Sequence, residues 1–331
     1  MLLLRPAGNK AFHSEQKGAG TQAPRTYESP QTEARDPKQS GTLSPYDIAR
    51  YINENENADI RQIWRWLGLN ITSTDLSYKC NGNCEADTFV INYWGGKAIA
   101  AKISYTGGDY YQYLIFKNAR PGENTWRFLG HFDSSGQRYG SPEHRVETWH
   151  KKSWIVIKEL WGRGSGFVLY GEKWYQIDDT AIKKVFAYPA SGHVSSYMEK
   201  RGRETGSMLL DVEDSNGTLS IKIQFSVSYN FGDDPVQQLF LKEQHGYFRW
   251  DSKSKKFVFD SSRSQVTESE LDKVFGYDES MDEKDFVEYN YQELLEMATR
   301  GNEIQKGWLS RYLDNVPDSP QKSALRQALE Q

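Results

Sequence analysis

Apolar and polar positions alternate in short runs through most of this chain, and a helical period replaces that alternation only toward the two ends. The densest run begins at Ser153, where Trp154, Ile155, Val156 and Ile157 lead to Gly162-Arg163-Gly164-Ser165-Gly166 and then to Phe167-Val168-Leu169-Tyr170. Apolar runs of this length, closed off by glycine, read as a hairpin of buried strands. Further strands are predicted at 88–94, 97–105, 110–117, 126–133, 146–149, 173–178, 182–188, 208–212, 219–229, 238–243, 247–250 and 256–259. Gly95-Gly96 and Gly107-Gly108 supply tight turns, and Pro189 is expected to end the strand before it. The clearest alternation is Leu219, Ile221, Ile223, Phe225 and Val227, the mark of a strand with one face in the core.

Three stretches look like one unit repeated: 113–116 with Trp126, 167–170 with Trp174, and 239–241 with 247–250. Their spacing is uneven, and three units are too few to close a ring of blades. The expected fold is therefore mainly β, built from antiparallel repeated hairpins. A sandwich-like or strongly twisted sheet is the first expectation and an irregular propeller-like arrangement the second.

Helical signals flank this β domain, placed at 71–265. In the segment 42–70, Ser44-Pro45-Tyr46-Asp47 has a capping serine, a proline for the first helical position and an acid in the first turn. Asp59 caps a second helix with Ile60, Ile63, Trp64 and Leu67 on one face, stopped by Gly68. The segment 282–331 predicts three short helices. Their apolar faces are Val287, Tyr291, Leu294, Leu295 and Ala298; Ile304, Trp308 and Tyr312; and Ala324, Leu325, Ala328 and Leu329 after the start signal Ser319-Pro320. Helices this short bury little alone, so they are expected to dock on the β domain. Gly8 to Gly41 is a polar tract rich in Gly, Pro, Gln, Ser and Thr, and residues 1–41 are expected to be a disordered tail.

Composition narrows the function classes. Of 331 residues, 14% are aromatic, with 20 Tyr and 10 Trp, which favours strands. A net charge of -4 and a pI near 6.0 supply no chain-wide basic field, so no nucleic-acid partner is expected. No apolar run approaches the roughly 20 residues of a membrane-spanning helix, so no integral membrane segment is expected. Met1 to Arg5 is too short for the apolar core of a secretory signal. The two cysteines, Cys80 and Cys84, flank the turn-forming Asn81-Gly82-Asn83, and a disulfide between them is expected. Zinc would need two further ligands, and no metal or other cofactor is expected. An oxidised pair behind a polar tail points to an extracytoplasmic, cell-envelope setting.

No stretch carries a specific catalytic motif. Gly162 to Gly166 precedes a strand, whereas a phosphate loop opens a helix, so a hairpin turn is the better reading. Asp211 to Gly217 has alternating oxygen ligands, yet Lys222 stands where an EF-hand loop needs its glutamate, which favours an Asn-Gly turn. His144 and His150 lack zinc-protease spacing, and Ser191 with His193 is too close in sequence to form a nucleophile and base. What remains are aromatics at strand ends, Trp94 and Trp161, where an exposed ring stacks on a sugar or anchors a protein. The expected function is a noncatalytic binding or interaction protein with a protein or glycan partner. The alternatives are a carbohydrate-binding module using these turn aromatics, and a hydrolase with a carboxylate pair.

Overall fold

The computed structural model describes residues 43–69, 84–105, 110–119, 125–136, 142–164, 166–195, 202–215, 217–230, 238–275 and 282–331. The predicted tail and Cys80 lie outside these residues. Two helices lead, α1 (Pro45–Glu54) and α2 (Ile60–Trp66). The Ser44 hydroxyl accepts from the Asp47 amide at 3.1 Å while the Asp47 carboxylate accepts from the Ser44 amide at 3.3 Å, a reciprocal cap ahead of Pro45. Asp59 caps α2 by accepting from the Arg61 amide at 3.0 Å.

Twelve strands follow among the described residues, in two antiparallel sheets that both run in sequence order. The first holds β1 (Glu85–Tyr93), β2 (Gly96–Ser104), β3 (Tyr110–Asn118) and β4 (Trp126–Ser135). The second runs from β5 (Glu143–Trp149) through β6 (Lys152–Gly164), β7 (Phe167–Ile177), β8 (Ile182–Val194), β9 (Gly202–Ser215), β10 (Thr218–Asn230) and β11 (Gln238–Asp251) to β12 (Lys256–Phe259). Neighbouring hairpins thus join into two continuous sheets packed on each other. This is the sandwich-like arrangement and not a ring of blades.

Each face of the first sheet has its own cover. Ala101, Ile103, Leu114 and Phe116 pack under Ile48, Ile52, Ile60, Ile63 and Trp64 of the leading helices. On the other face, Ile91, Tyr113 and Phe132 meet Ile155, Ile157, Tyr175 and Ile177 of β6 and β7, with Phe132 stacked on Tyr175 at 4.0 Å. The run at 154–157 is now explained. Ile155 and Ile157 face the first sheet, while Trp154 and Val156 face a third core on the far side. A strand covered on both faces has no polar side to show, hence the unbroken apolar run.

That third core forms because the eight-stranded sheet folds over on itself. In a flat sheet β6 and β12, six strand spacings apart, would be about 29 Å from each other. Yet the rings of Trp154 and Phe257 lie 6.4 Å apart, and those of Phe186 and Phe257 5.6 Å apart. The fold line is β8 against β9, which pair only over Ser191–Val194 and Arg203–Gly206. Beyond it, β10 turns Leu219, Ile221, Ile223, Phe225, Val227 and Tyr229 inward, as the alternation predicts.

The inner face left open by the folded sheet is filled by helices. After β12 a helical turn, Glu268–Glu270, runs into a π-helical turn, Leu271–Phe275, together α3. Then come α4 (Glu283–Tyr289), α5 (Tyr291–Arg300), α6 (Glu303–Leu313) and α7 (Pro320–Leu329). Phe286 meets Tyr229 at 5.0 Å and Phe240 at 6.3 Å. Where three C-terminal helices are expected, the first divides at Asn290, whose side-chain amide donates to the Phe286 carbonyl at 3.0 Å. In α6 the buried face is Leu309, Tyr312 and Leu313; Ile304, placed on that face by its spacing, is 68% exposed.

Three predicted strand ends are also corrected. β7 continues through Gly171 and β11 through Gly246, so the segments 167–170 and 173–178, and 238–243 and 247–250, are single strands. At both glycines a neighbouring ring takes the space of a side chain: an added Cβ would lie 1.8 Å from Trp161 at Gly171 and 2.7 Å from Phe225 at Gly246. β8 likewise passes Pro189, which borders a bulge and precedes the point where β9 joins, so among the described residues no strand bonds to one flank of the proline.

Candidate functional site

The predicted site residues do not converge. Trp94 is at the tip of the β1–β2 hairpin, 56% exposed, with its amide donating to the Ser153 hydroxyl at 2.7 Å. Trp161 is the extra residue of a bulge between β6 and β7, 42% exposed, with its ring laid across Gly171. Ser153 and Trp161 are at opposite ends of β6, about 26 Å apart at the usual rise of a strand. The two tryptophans therefore make two separate surfaces. Cys84 stands just before β1 and packs against the core under the leading helices, while its expected partner Cys80 lies outside the described residues.

The polar stretches singled out by the sequence are engaged locally. Asp214 accepts from the Gly217 amide at 2.8 Å, Asp211 from the Val212 amide at 2.8 Å, and Glu213 pairs with Arg263 at 2.8 Å. Gly162 and Gly164 lie against the Phe167 ring at the end of the β6–β7 hairpin. His144 stacks on Phe89 at 4.1 Å, and burial lowers its pKa. His150 lies 3.7 Å from Asp214. Among the described residues no group of three metal-ligating side chains occurs.

Two buried carboxylates belong to β6 and β7, and sequence gave no sign of either. Glu172, 8% exposed, faces the folded sheet's interior with Trp174 and Tyr188. Arg145 of β5 donates two hydrogen bonds to it at 2.8 Å, and the Tyr188 hydroxyl a third at 2.7 Å. Burial alone would raise the Glu172 pKa, but the Arg145 bonds and charge, with Tyr188, hold it below its ordinary value. Glu159, 1% exposed, faces the first sheet instead, where it pairs with Lys173 and accepts from the Ser135 amide at 3.2 Å. Opposite faces of one sheet cannot present these two groups to a common bond.

A groove of about 360 Å³ lies between β8 and β12. Phe186, Phe248, Phe257 and Phe259 give it an aromatic lining, with Lys184, Lys256 and Glu268 among its polar residues. Partial burial, with the charges of Lys173 and Lys256, lowers the Lys184 pKa. Among the described residues neither Lys184 nor Lys256 makes an ion pair, and Glu268 is the acid of the lining. A second, smaller opening of about 240 Å³ involves Trp308, Tyr312, Glu283, Arg311 and Asn315. There Tyr312 donates to Glu283 and stacks on Trp308 at 4.8 Å.

Comparison with protein-family models, with curated proteins and with solved structures finds no match for this chain. The functional reading accordingly rests on the geometry alone.

Proposed function

We propose that this chain is a noncatalytic β-rich binding protein. The observation that carries the reading is the state of its two buried carboxylates: each is neutralised by a cation of the fold, and they face opposite sides of one sheet. A hydrolytic pair needs one acid kept protonated and a second carboxylate within several Å on the same cleft wall. Here the Arg145 partner favours the charged form of Glu172. The test is hydrolysis of a panel of 4-nitrophenyl glycosides and esters by the full chain. No turnover above the buffer rate is expected. Turnover that disappears in Glu159→Gln or Glu172→Gln, with the variant still folded by circular dichroism, overturns the reading.

A glycan-binding reading has one observation in its favour, the exposed Trp94 ring on a hairpin tip pinned to Ser153. Glycan-array binding lost in Trp94→Ala, at unchanged thermal stability, would establish it. The cell-envelope setting and the Cys80–Cys84 disulfide belong to the same proposal and rest on the turn chemistry between the two cysteines. Intact mass of the protein from its native host, before and after alkylation without reductant, checks both. Uptake of alkylating agent by both thiols would refute the disulfide.

A further inference from the structure

The opening of about 240 Å³ at the C-terminal helices has opposite charges in its two walls. Trp308, Arg311, Tyr312 and Asn315 fall at i, i+3, i+4 and i+7 along α6 and just past its end, so they share one helical face and form one wall. Glu283, the first residue of α4, belongs to the other. A buried contact fixes the two helices at this place, the Phe286 ring against Tyr312 at 5.6 Å. The core of the fold thus sets the spacing of the walls.

The two charges are held differently. The Tyr312 hydroxyl donates to the Glu283 carboxylate while the Tyr312 ring stacks on Trp308 at 4.8 Å, which locks the acid and the aromatic surface into one unit. Arg311, by contrast, makes no ion pair among the described residues, with Glu283 or with any other acid. Asn315 donates to the Arg311 carbonyl at 3.3 Å, and its side-chain oxygen remains an acceptor. Gly307, one turn before Arg311, places in α6 the residue least favoured in a helix after proline. Among the described residues a Cβ there would meet only the Arg311 guanidinium, at 3.9 Å, so packing does not demand the glycine. What it provides is room for Arg311 to move.

Two opposite charges that line one opening without pairing are complementary to a ligand that carries both signs. Size narrows the ligand further, since drug-sized molecules occupy clefts of about 300–1,000 Å³ and this opening is smaller. We propose that it binds a free α-amino acid with an apolar side chain. The ligand carboxylate would meet the planar fork of Arg311. Its ammonium would meet Glu283 and the Asn315 oxygen, near the negative end of the α6 dipole. Its side chain would lie against Trp308. The inference rests on the binding-protein reading above and names a ligand class for it.

The experiment follows the indole N–H resonances of the full chain by two-dimensional NMR, with Trp308 assigned through Trp308→Phe. The probes are L-phenylalanine, phenethylamine, which lacks the carboxylate, and phenylpropionate, which lacks the ammonium. L-Phenylalanine is expected to shift the Trp308 resonance with a Kd on the order of 1 mM or below, and each comparison probe to bind at least about tenfold more weakly. Arg311 is exposed, so Arg311→Gln should leave the rest of the spectrum unchanged. It should bring L-phenylalanine down to the level of phenethylamine without weakening phenethylamine itself.

Phenylpropionate that binds as tightly as L-phenylalanine would remove Glu283 from recognition and overturn the proposal. Equal binding of phenethylamine would do the same for Arg311. A Trp308 resonance unmoved by any probe up to about 10 mM, or moved equally by all three, also overturns it. Each of these failures leaves the absence of turnover untouched, whereas turnover in the hydrolysis panel defeats the binding reading without reference to this opening.

Discussion

Replacing Arg145 with Met leaves Glu172 buried with no cation among its described partners, and stability should then depend on pH in a way the natural chain does not. In the natural protein the folded-state pKa of Glu172 lies below its unfolded value. The pair therefore contributes stability above the unfolded pKa, and that contribution is lost as pH falls through the folded one. Without Arg145, burial prevails and the sign reverses, since Tyr188 and Trp174 alone remain to hold the charge. The carboxylate then penalises the folded state at neutral pH, and the penalty is relieved as pH falls and a proton binds. Breaking a buried pair costs about 3–5 kcal/mol. With the Arg145 side chain 41% exposed, solvent screening discounts that range to about 2–3 kcal/mol at pH 7. Urea unfolding followed by tryptophan fluorescence at pH 7 and near pH 5 reads the difference, which should shrink by at least half at the lower pH. The double variant with Glu172→Gln should lose that pH dependence. An Arg145→Met penalty that is equal at both pH values would refute the account of Glu172 as a buried charge held by Arg145.

Gly171→Ala must move the Trp161 ring, because the new Cβ would fall 1.8 Å from it; a loss of about 1–3 kcal/mol and a more quenchable tryptophan in acrylamide titration are expected. Ser319→Ala removes the acceptor for the Lys322 amide at 3.1 Å and should cost about 1 kcal/mol in urea unfolding. Tyr188→Phe deletes a 2.7 Å hydrogen bond to a buried carboxylate, for about 1.5–3 kcal/mol in the same assay.

Much of the fold was legible where one residue pattern meets one local cause. The Ser44 to Asp47 cap and the alternation from Leu219 to Val227 needed only hydrogen bonding within a turn and a single buried face. The errors arose where a local pattern stands for a distant contact. Gly171 and Gly246 resemble strand ends in sequence, yet each makes room for a ring from a neighbouring strand. Ile304 has helical spacing with Trp308 and Tyr312, but the packing of α6 selects Leu309 and Leu313 instead. The groove was hidden for the same reason. Lys184 and Lys256 are ordinary strand lysines until the sheet folds, and only then do Phe186 and Phe257 meet.

The strand β6 has a consequence for how this protein comes apart. Because Ile155 and Ile157 serve one core while Trp154 and Val156 serve another, losing either core strips a face from the same four residues. A cut before Glu143, where the two sheets separate in sequence, would leave the second half with Ile155, Ile157, Tyr175 and Ile177 against water. The two sheets should accordingly melt as one cooperative unit, with the slowest-exchanging amides along β6 and β7.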